Sequence, residues 1–276
     1  MPEYSTITYE VKGPVCAITL NRPEKYNAIN LEMASEIQNA FQTVRDSAEV
    51  GVVVLAGNGK AFCTGGDLSI FPSIADHKSS LNWLAHEGFG VGKAIERCEK
   101  VVIAKVNGYC LAGGLELALM CDLIYASEAA KFGMTEINMG ILPGWGGTVR
   151  IARAMPIYRA REIIYSGRKD YTAREMYEMG FLTRVFKDEA FEDHFNAIVS
   201  NISSKEVNAL RMGKEVMMGS LECSSLDAAL SLERNAIQWL SNDPEKVKAR
   251  EAFLKDSKVF VEKQKMANID ADGKQA

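Results

Sequence analysis

The sequence predicts an α/β core followed by a helical carboxy-terminal region. Through the first half, short runs of apolar and β-branched residues alternate with amphipathic helical patterns, the arrangement that buries strands beneath helices. Beyond Ala152 the pattern turns to one helix after another. Composition agrees, because 47% hydrophobic and 25% charged residues in a chain of 276 match a globular protein with one large core and a helical appendage.

In chain order, an alternating segment Ser5–Val11 precedes a β run at Val15–Leu20, an amphipathic helix at Leu31–Arg45, and a second run, Val52–Leu55, closed by Ala56-Gly57-Asn58-Gly59. The logic recurs: helical spacing over Trp83–Glu99, a near-continuous apolar strand at Val101–Val106, a buried helix at Leu115–Met120, and a strand around Leu123–Ala126. The helical second half reads as Ala173–Met179, Asp188–Ser200, Lys205–Met218, Leu226–Leu240 and Pro244–Lys255, interrupted by a strand signal at Leu182–Phe186. No Pro/Gly/Ser linker marks residues 195 to 205, so a helical subdomain of one globular unit is expected rather than independent domains. The polar tail Asn268–Ala276 is expected to fray.

Several function classes are excluded on composition. The 36 acidic and 32 basic side chains give a formal charge of −4 without a Lys/Arg-dense block, which argues against a phosphate-tracking nucleic-acid surface. The longest charge-free stretch, Ile137–Val149, is too short for a membrane helix and carries Pro143 and several glycines. The amino end lacks the basic and apolar regions of a signal peptide, so a cytoplasmic location is expected. Six cysteines (Cys16, Cys63, Cys98, Cys110, Cys121, Cys223) without a C-x-x-C pair read as reduced thiols. His77, His86 and His194 have no partners at ligand spacing, and no metal is expected. The G-x-S-x-G elbow, the G-x-x-x-x-G-K-[ST] loop, H-E-x-x-H and G-x-G-x-x-G are all missing.

Two glycine-rich segments remain, each after an expected strand: Lys60–Leu68, with Gly65 and Gly66, and Asn107–Glu116, with Gly113 and Gly114. Paired glycines let backbone N–H groups face a ligand with no Cβ in the way, and a helix starting after the second pair adds its positive end. Two such N–H groups can form an oxyanion hole. Tight turns packing strand on helix would read the same way. Glu116 and Glu136 each lie in otherwise apolar, glycine-containing runs, where burying a carboxylate costs several kcal/mol unless something satisfies or uses it. They are either two independently satisfied acids or an acid/base pair beside the glycines.

At these residues the sequence resembles the crotonase superfamily, and within it the enoyl-CoA hydratase group. The matching segments are Asn21-Arg22-Pro23-Glu24-Lys25-Tyr26-Asn27-Ala28-Ile29, similar to the family's N-R-P-x-x-x-N-A-L; the Phe62–Leu68 loop; the Asn107–Asp122 block; and Phe132-Gly133-x-x-Glu136-Ile137-x-x-Gly140-x-x-Pro143-Gly144-x-Gly146-Gly147-Thr148. The resemblance implies a crotonase-like spiral of repeated β-β-α units carrying the acyl-CoA site over residues 1–200. A helical trimerisation region over residues 201–276 would follow, often with two trimers stacked as a hexamer.

The resemblance also implies roles. Backbone N–H groups of Thr64 and Gly113 would bind a thioester carbonyl and stabilise its enolate. Glu116 and Glu136 would flank one water that adds to C3 of a 2-enoyl-CoA while a proton goes to C2. Keeping both acids favours hydration over the isomerases, hydrolases and C–C lyases of the superfamily. Coenzyme A, part of the substrate and the only cofactor-like group implied, would contact Lys25, Ala28, Ala61, Gly65, Gly66, Asp67, Leu68 and Phe253. At the family's carboxy-terminal lysine position stands Asp256, with Lys255 and Lys258 beside it. Other departures concern the acyl group: Thr64 replaces Ala or Ser, Ala112 replaces a glycine, and Trp145 takes the place of a small residue. The Ile70–Gly92 stretch is expected to cover the acyl chain, and the wording of the first glycine loop resembles relatives acting on cyclic or aromatic acyl-CoAs.

Overall fold

In a computed structural model the described residues are 3–68, 88–242, 248, 250–255 and 257. They fall into two compact units, Met1–Arg211 and Met212–Ala276. The first is mixed α/β. Its strands are β1 (Ile7–Lys12), β2 (Val15–Leu20), β3 (Val52–Gly57), β4 (Ala61–Cys63), β5 (Val101–Val106), β6 (Tyr109–Leu111), β7 (Leu123–Ser127), β8 (Lys131–Gly133), β9 (Tyr171–Thr172) and β10 (Arg184–Phe186). Helices α1 (Leu31–Arg45), α2 (Phe89–Glu96), α3 (Gly113–Leu119), α4 (Gly147–Ala154), α5 (Ile157–Ser166), α6 (Ala173–Glu178) and α7 (Asp188–Ser203) join or follow them. Helix α8 (Val207–Ser220) spans the division, and α9 (Leu226–Ser241) lies in the second unit.

The strands sort into two sheets by a repeating rule. One sheet runs β1-β2-β3-β5-β7-β10 and the other β4-β6-β8-β9. Each successive pair, β3/β4, β5/β6 and β7/β8, therefore sends its first strand to the large sheet and its second to the small one. All neighbours are parallel except β1 with β2 and β8 with β9. A β-β-α turn repeated in this way advances one strand per turn in both sheets, which is the spiral expected from the resemblance.

Strand alternation builds a core on each face of the large sheet. Val53 and Leu55 of β3 and Val102 and Ala104 of β5 point into the interior with α1, α2 and α3. Val52, Val54 and Ile103 point the other way and pack with Phe191, Phe195 and Val199 of α7. With both faces covered, β3 is nearly all apolar. Helix α1 buries Met33, Ala34, Ile37, Ala40, Phe41 and Val44 at helical spacing, and Asn30 caps it by accepting from the Met33 N–H at 2.9 Å.

Expected and observed elements agree closely for α1 and β5 and within a few residues for most of the others. The small sheet was not expected, because its strands are two or three residues long and show no periodicity. Helix α4 was not expected, because it begins before the helical region read beyond Ala152, and α5 lies where helix was expected only in general terms. The first unit runs to Arg211, beyond the expected limit near residue 200. Residues 83–87 of the Trp83–Glu99 pattern, most of the Ile70–Gly92 stretch, His77, His86, Asp256, Lys258 and the tail lie outside the described residues. All six cysteines are free thiols, and no helix among the described residues is long and apolar enough to cross a membrane.

Candidate active site

The β4 and β6 loops carry the two glycine pairs, and the parallel pairing of their strands brings the loops together. Their contact is tight. A Cβ on Gly114 would lie 2.1 Å from the Cys63 carbonyl oxygen, and one on Gly65, whose φ is +96°, would lie 2.9 Å from the Gly113 nitrogen. Between them Ala112 holds φ +50° and ψ −126°, a conformation that L side chains rarely adopt. This backbone starts α3 at Gly113. Neither the Thr64 nor the Gly113 N–H donates a hydrogen bond among the described residues. Both residues line a cavity of about 180 Å³.

Glu116 lies one turn into α3 and is 2% exposed, and Glu136 opens a 3₁₀ turn, Glu136–Met139, and is 9% exposed. Both line the same cavity. Asn138 anchors the 3₁₀ turn by donating to the Gly167 carbonyl at 2.7 Å. Glu116 Oε1 accepts from the Trp145 N–H at 2.8 Å and the Gly147 N–H at 2.7 Å. Glu136 Oε2 is buried and finds no partner among the described residues. Burial pushes the Glu116 carboxyl up to about 7, opposed by the Gly147 N–H and reinforced by the charge of Glu136. Burial also raises Glu136. Two buried carboxyls on one cavity, both raised by burial and one raised further by the other's charge, have the electrostatics of an acid/base pair.

The rest of the cavity wall is largely apolar, with Leu68, Ala112, Met139, Ile141, Leu142 and Trp145 among its lining. Trp145 is 2% exposed, and its ring lies against Gly88, where a Cβ would sit 1.9 Å from the indole. Leu68, Met139 and Leu142 are exposed at the mouth.

Residues 21–29 are fastened to the first glycine loop. The Ile29 N–H donates to the Gly65 carbonyl at 2.8 Å, and the Asp67 N–H to the Ile29 carbonyl at 2.9 Å. Asn27, fully buried at φ +56°, donates to the carbonyls of Asn58 (2.9 Å) and Ala61 (2.8 Å) and accepts from the Arg22 N–H at 2.9 Å. The Arg22 guanidinium in turn bonds the Ala28 carbonyl at 2.5 Å and the Asp67 carboxylate at 2.9 Å.

The structure thus brings together Thr64, Gly65, Gly66, Leu68, Gly113, Glu116 and Glu136, with Ala28, Ala61 and Asp67 in the adjoining brace. Ala61 is fully buried, and the Asp67 carboxylate is engaged with Arg22. Lys25 is exposed at the end of a 3₁₀ turn, Pro23–Lys25. Phe253 is 71% exposed and lies in the second unit. Sequence reasoning missed the bracing roles of Arg22 and Asn27, although both lie in the quoted motif, and it missed the lining role of Thr135, Met139, Ile141 and Leu142. His194 stacks on Phe186 at 5.3 Å, away from the cavity residues. No group of three or more metal-ligating side chains occurs among the described residues.

The enoyl-CoA hydratase/isomerase family profile matches residues 10–268. A probable enoyl-CoA hydratase of Rhizobium meliloti (strain 1021) is 34% identical over 251 residues, 91% of this chain and 95% of its own. A short-chain-enoyl-CoA hydratase of Clostridium acetobutylicum is 30% identical over 263 residues, 93% and 97% of the two chains. The crystal structure of an enoyl-CoA hydratase from Bacillus anthracis superposes with a TM-score of 0.86 at 31% identity, over 91% of this chain and 97% of that one. Fold, profile and relatives agree that the chain belongs to the enoyl-CoA hydratase/isomerase family of the crotonase superfamily.

Proposed function

We propose that the protein is a hydratase that adds water across the 2,3 double bond of an enoyl-CoA thioester. One observation carries the reading: Glu116 and Glu136 are two buried carboxyls on the cavity that Thr64 and Gly113 also line. The thioester oxygen would accept from the Thr64 and Gly113 N–H groups, which stabilise the enolate. Glu116, held by two N–H donors that favour its ionised form, takes the proton of the attacking water. Glu136, whose Oε2 has no partner among the described residues, delivers its proton to C2. Water oxygen joins C3, one proton passes to Glu116 and one leaves Glu136, so the addition is redox-neutral and needs no further cofactor.

Coenzyme A would lie along Lys25, Ala28, Ala61, Gly65, Gly66, Asp67 and Leu68, with Phe253 a further contact. Lys25 supplies a cation for a CoA phosphate, and the Arg22–Asp67 pair fixes the loop beside it. The cavity volume and the buried Trp145 support a short acyl chain. The same features also suit a compact ring. A cytoplasmic homotrimer or dimer of trimers is part of this reading. It is supported by exposed Val149, Tyr158 and Tyr165, and by α9, which buries none of its residues while Leu226, Leu230 and Ile237 recur on it at helical spacing.

The test follows loss of enoyl-thioester absorbance over a panel of straight-chain and cyclic 2-enoyl-CoAs, with product masses. A gain of one water on a panel member is expected, and Glu116→Gln and Glu136→Gln should each lower the rate by at least about a hundredfold. The second reading, an isomerase, hydrolase or C–C lyase using mainly Glu136, would instead give double-bond migration, free CoA or a cleaved skeleton with Glu116→Gln nearly silent. Light scattering on the purified protein measures the oligomeric state, and a monomer would remove the trimer from the proposal.

A further inference from the structure

Glu116 is held by a loop, and the loop is itself held by an ion pair. Arg150 of α4 places Nε 2.5 Å and Nη2 2.6 Å from the two carboxylate oxygens of Glu96 at the end of α2. Its remaining nitrogen, Nη1, donates to the Trp145 carbonyl at 2.5 Å. Trp145 and Gly147 are the residues whose N–H groups hold Glu116 Oε1. Gly146 between them takes φ +91°, and a Cβ there would lie 2.1 Å from Arg150 Nη1, so the guanidinium fills the inside of the turn. A planar fork that grips a carboxylate with two nitrogens and a carbonyl with the third leaves the turn little freedom.

We propose that Arg150, braced by Glu96, is a positioning residue for Glu116: it fixes the Gly144–Gly147 turn so that one carboxylate oxygen is locked to backbone N–H groups. The other oxygen is then left for the reacting water. This rests on the hydratase reading. Neither residue touches the reacting atoms in that reading; both act through the turn.

Among the described residues the charged groups around Glu116 are few. Glu136 faces it from the 3₁₀ turn and raises its pKa, while Arg150 from α4 lowers it. From β4 and β6 come the buried thiols of Cys63 and Cys110, which burial pushes up and keeps neutral. Loss of Arg150 should therefore raise Glu116 above about 7, since both the positive charge and the ordered N–H donors favour the carboxylate.

Three variants separate positioning from charge: Arg150→Met, Arg150→Lys and Glu96→Gln, each checked for folding by near-ultraviolet circular dichroism. Arg150→Lys keeps the charge and loses the fork. Glu96→Gln removes a negative charge, which by itself would ease ionisation of Glu116 and leave activity equal or higher. Positioning predicts that kcat falls on the order of tenfold to a hundredfold in all three with KM little changed. The pH-dependent infrared carboxyl signal of Glu116, identified by its loss in Glu116→Gln, should move to higher pH in Arg150→Met. Folded Arg150→Lys or Glu96→Gln protein with wild-type kcat would overturn the proposal, and so would a Glu116 titration unmoved in folded Arg150→Met. If Arg150→Met fails to fold, the other two variants decide. Absence of hydration by the wild-type enzyme would count against the hydratase reading instead, because the infrared titration needs no substrate.

Discussion

Ala112 shows how a single residue records the demands of the site. Its φ of +50° and ψ of −126° place it where a Cβ is strained, between the Gly65 loop and the first turn of α3. The Gly113 N–H, first in α3, has no intrahelical acceptor. Ala112→Gly should remove that strain at the expense of a more flexible unfolded chain, for a net gain of about 1 kcal/mol. Urea unfolding of the two proteins measures it, and equal or lower stability in the variant would show that the surrounding contacts require the methyl group. Glu116 and Glu136 also strain the fold: burial disfavours their charged carboxylates. Their apolar surroundings were legible in the sequence, since each stands alone as an acid in its run. Their shared cavity was not, because a separation of 20 positions is compatible with many geometries.

Among the elements, those that bury an apolar face over several turns or several strand residues announce themselves. Helix α1 matches its expected span, as does β5, because each repeats a burial pattern long enough to set a period. Strands β4, β6 and β8 escape notice because three residues cannot express a period of two. They form because the long strands β3, β5 and β7 deliver each following segment to the same edge. The glycine pairs fit this small sheet: with the Cys63 carbonyl 2.1 Å from any Cβ on Gly114, α3 can approach β4 only if that residue is glycine. Gly114→Ala is expected to destabilise the protein by at least about 2 kcal/mol and to abolish activity together with it, since the clash is with backbone and must displace α3. Thermal unfolding and the hydration assay on one preparation test this; a stable, active Gly114→Ala protein would contradict the tight packing of α3 on β4.

For the molecule as a whole, a buried acid makes stability depend on pH. Glu116 is raised to about 7 in the folded state from an ordinary value of 4.5. Between these values the native protein holds a proton that the unfolded chain has released, so stability is full below the unfolded value and is lost as pH rises toward 7. The difference corresponds to about 3 kcal/mol. Glu116→Gln, which cannot ionise, should therefore gain stability relative to wild type as pH rises from 4.5 to 7, and the gain should level off above. Denaturant unfolding at several pH values measures the curve, and a wild-type-minus-variant difference that stays flat across that range would mean that Glu116 is ionised in the fold at an ordinary pKa.

The sequence by itself determined the α/β core with its helical end, the long strands and α1, the two glycine pairs and the two isolated acids. These depend on local composition and periodicity, which neighbouring residues carry without help. Only the tertiary structure decided which segments meet: β4 beside β6, Glu116 and Glu136 on one cavity, Asn27 and Arg22 as the brace of the first glycine loop, and Arg150 on Glu96 across 54 residues. The physical reason is that these contacts are hydrogen bonds and close backbone approaches between distant segments. They have no period, and their energy exists only after the β-β-α turns have stacked and excluded water from the space between them.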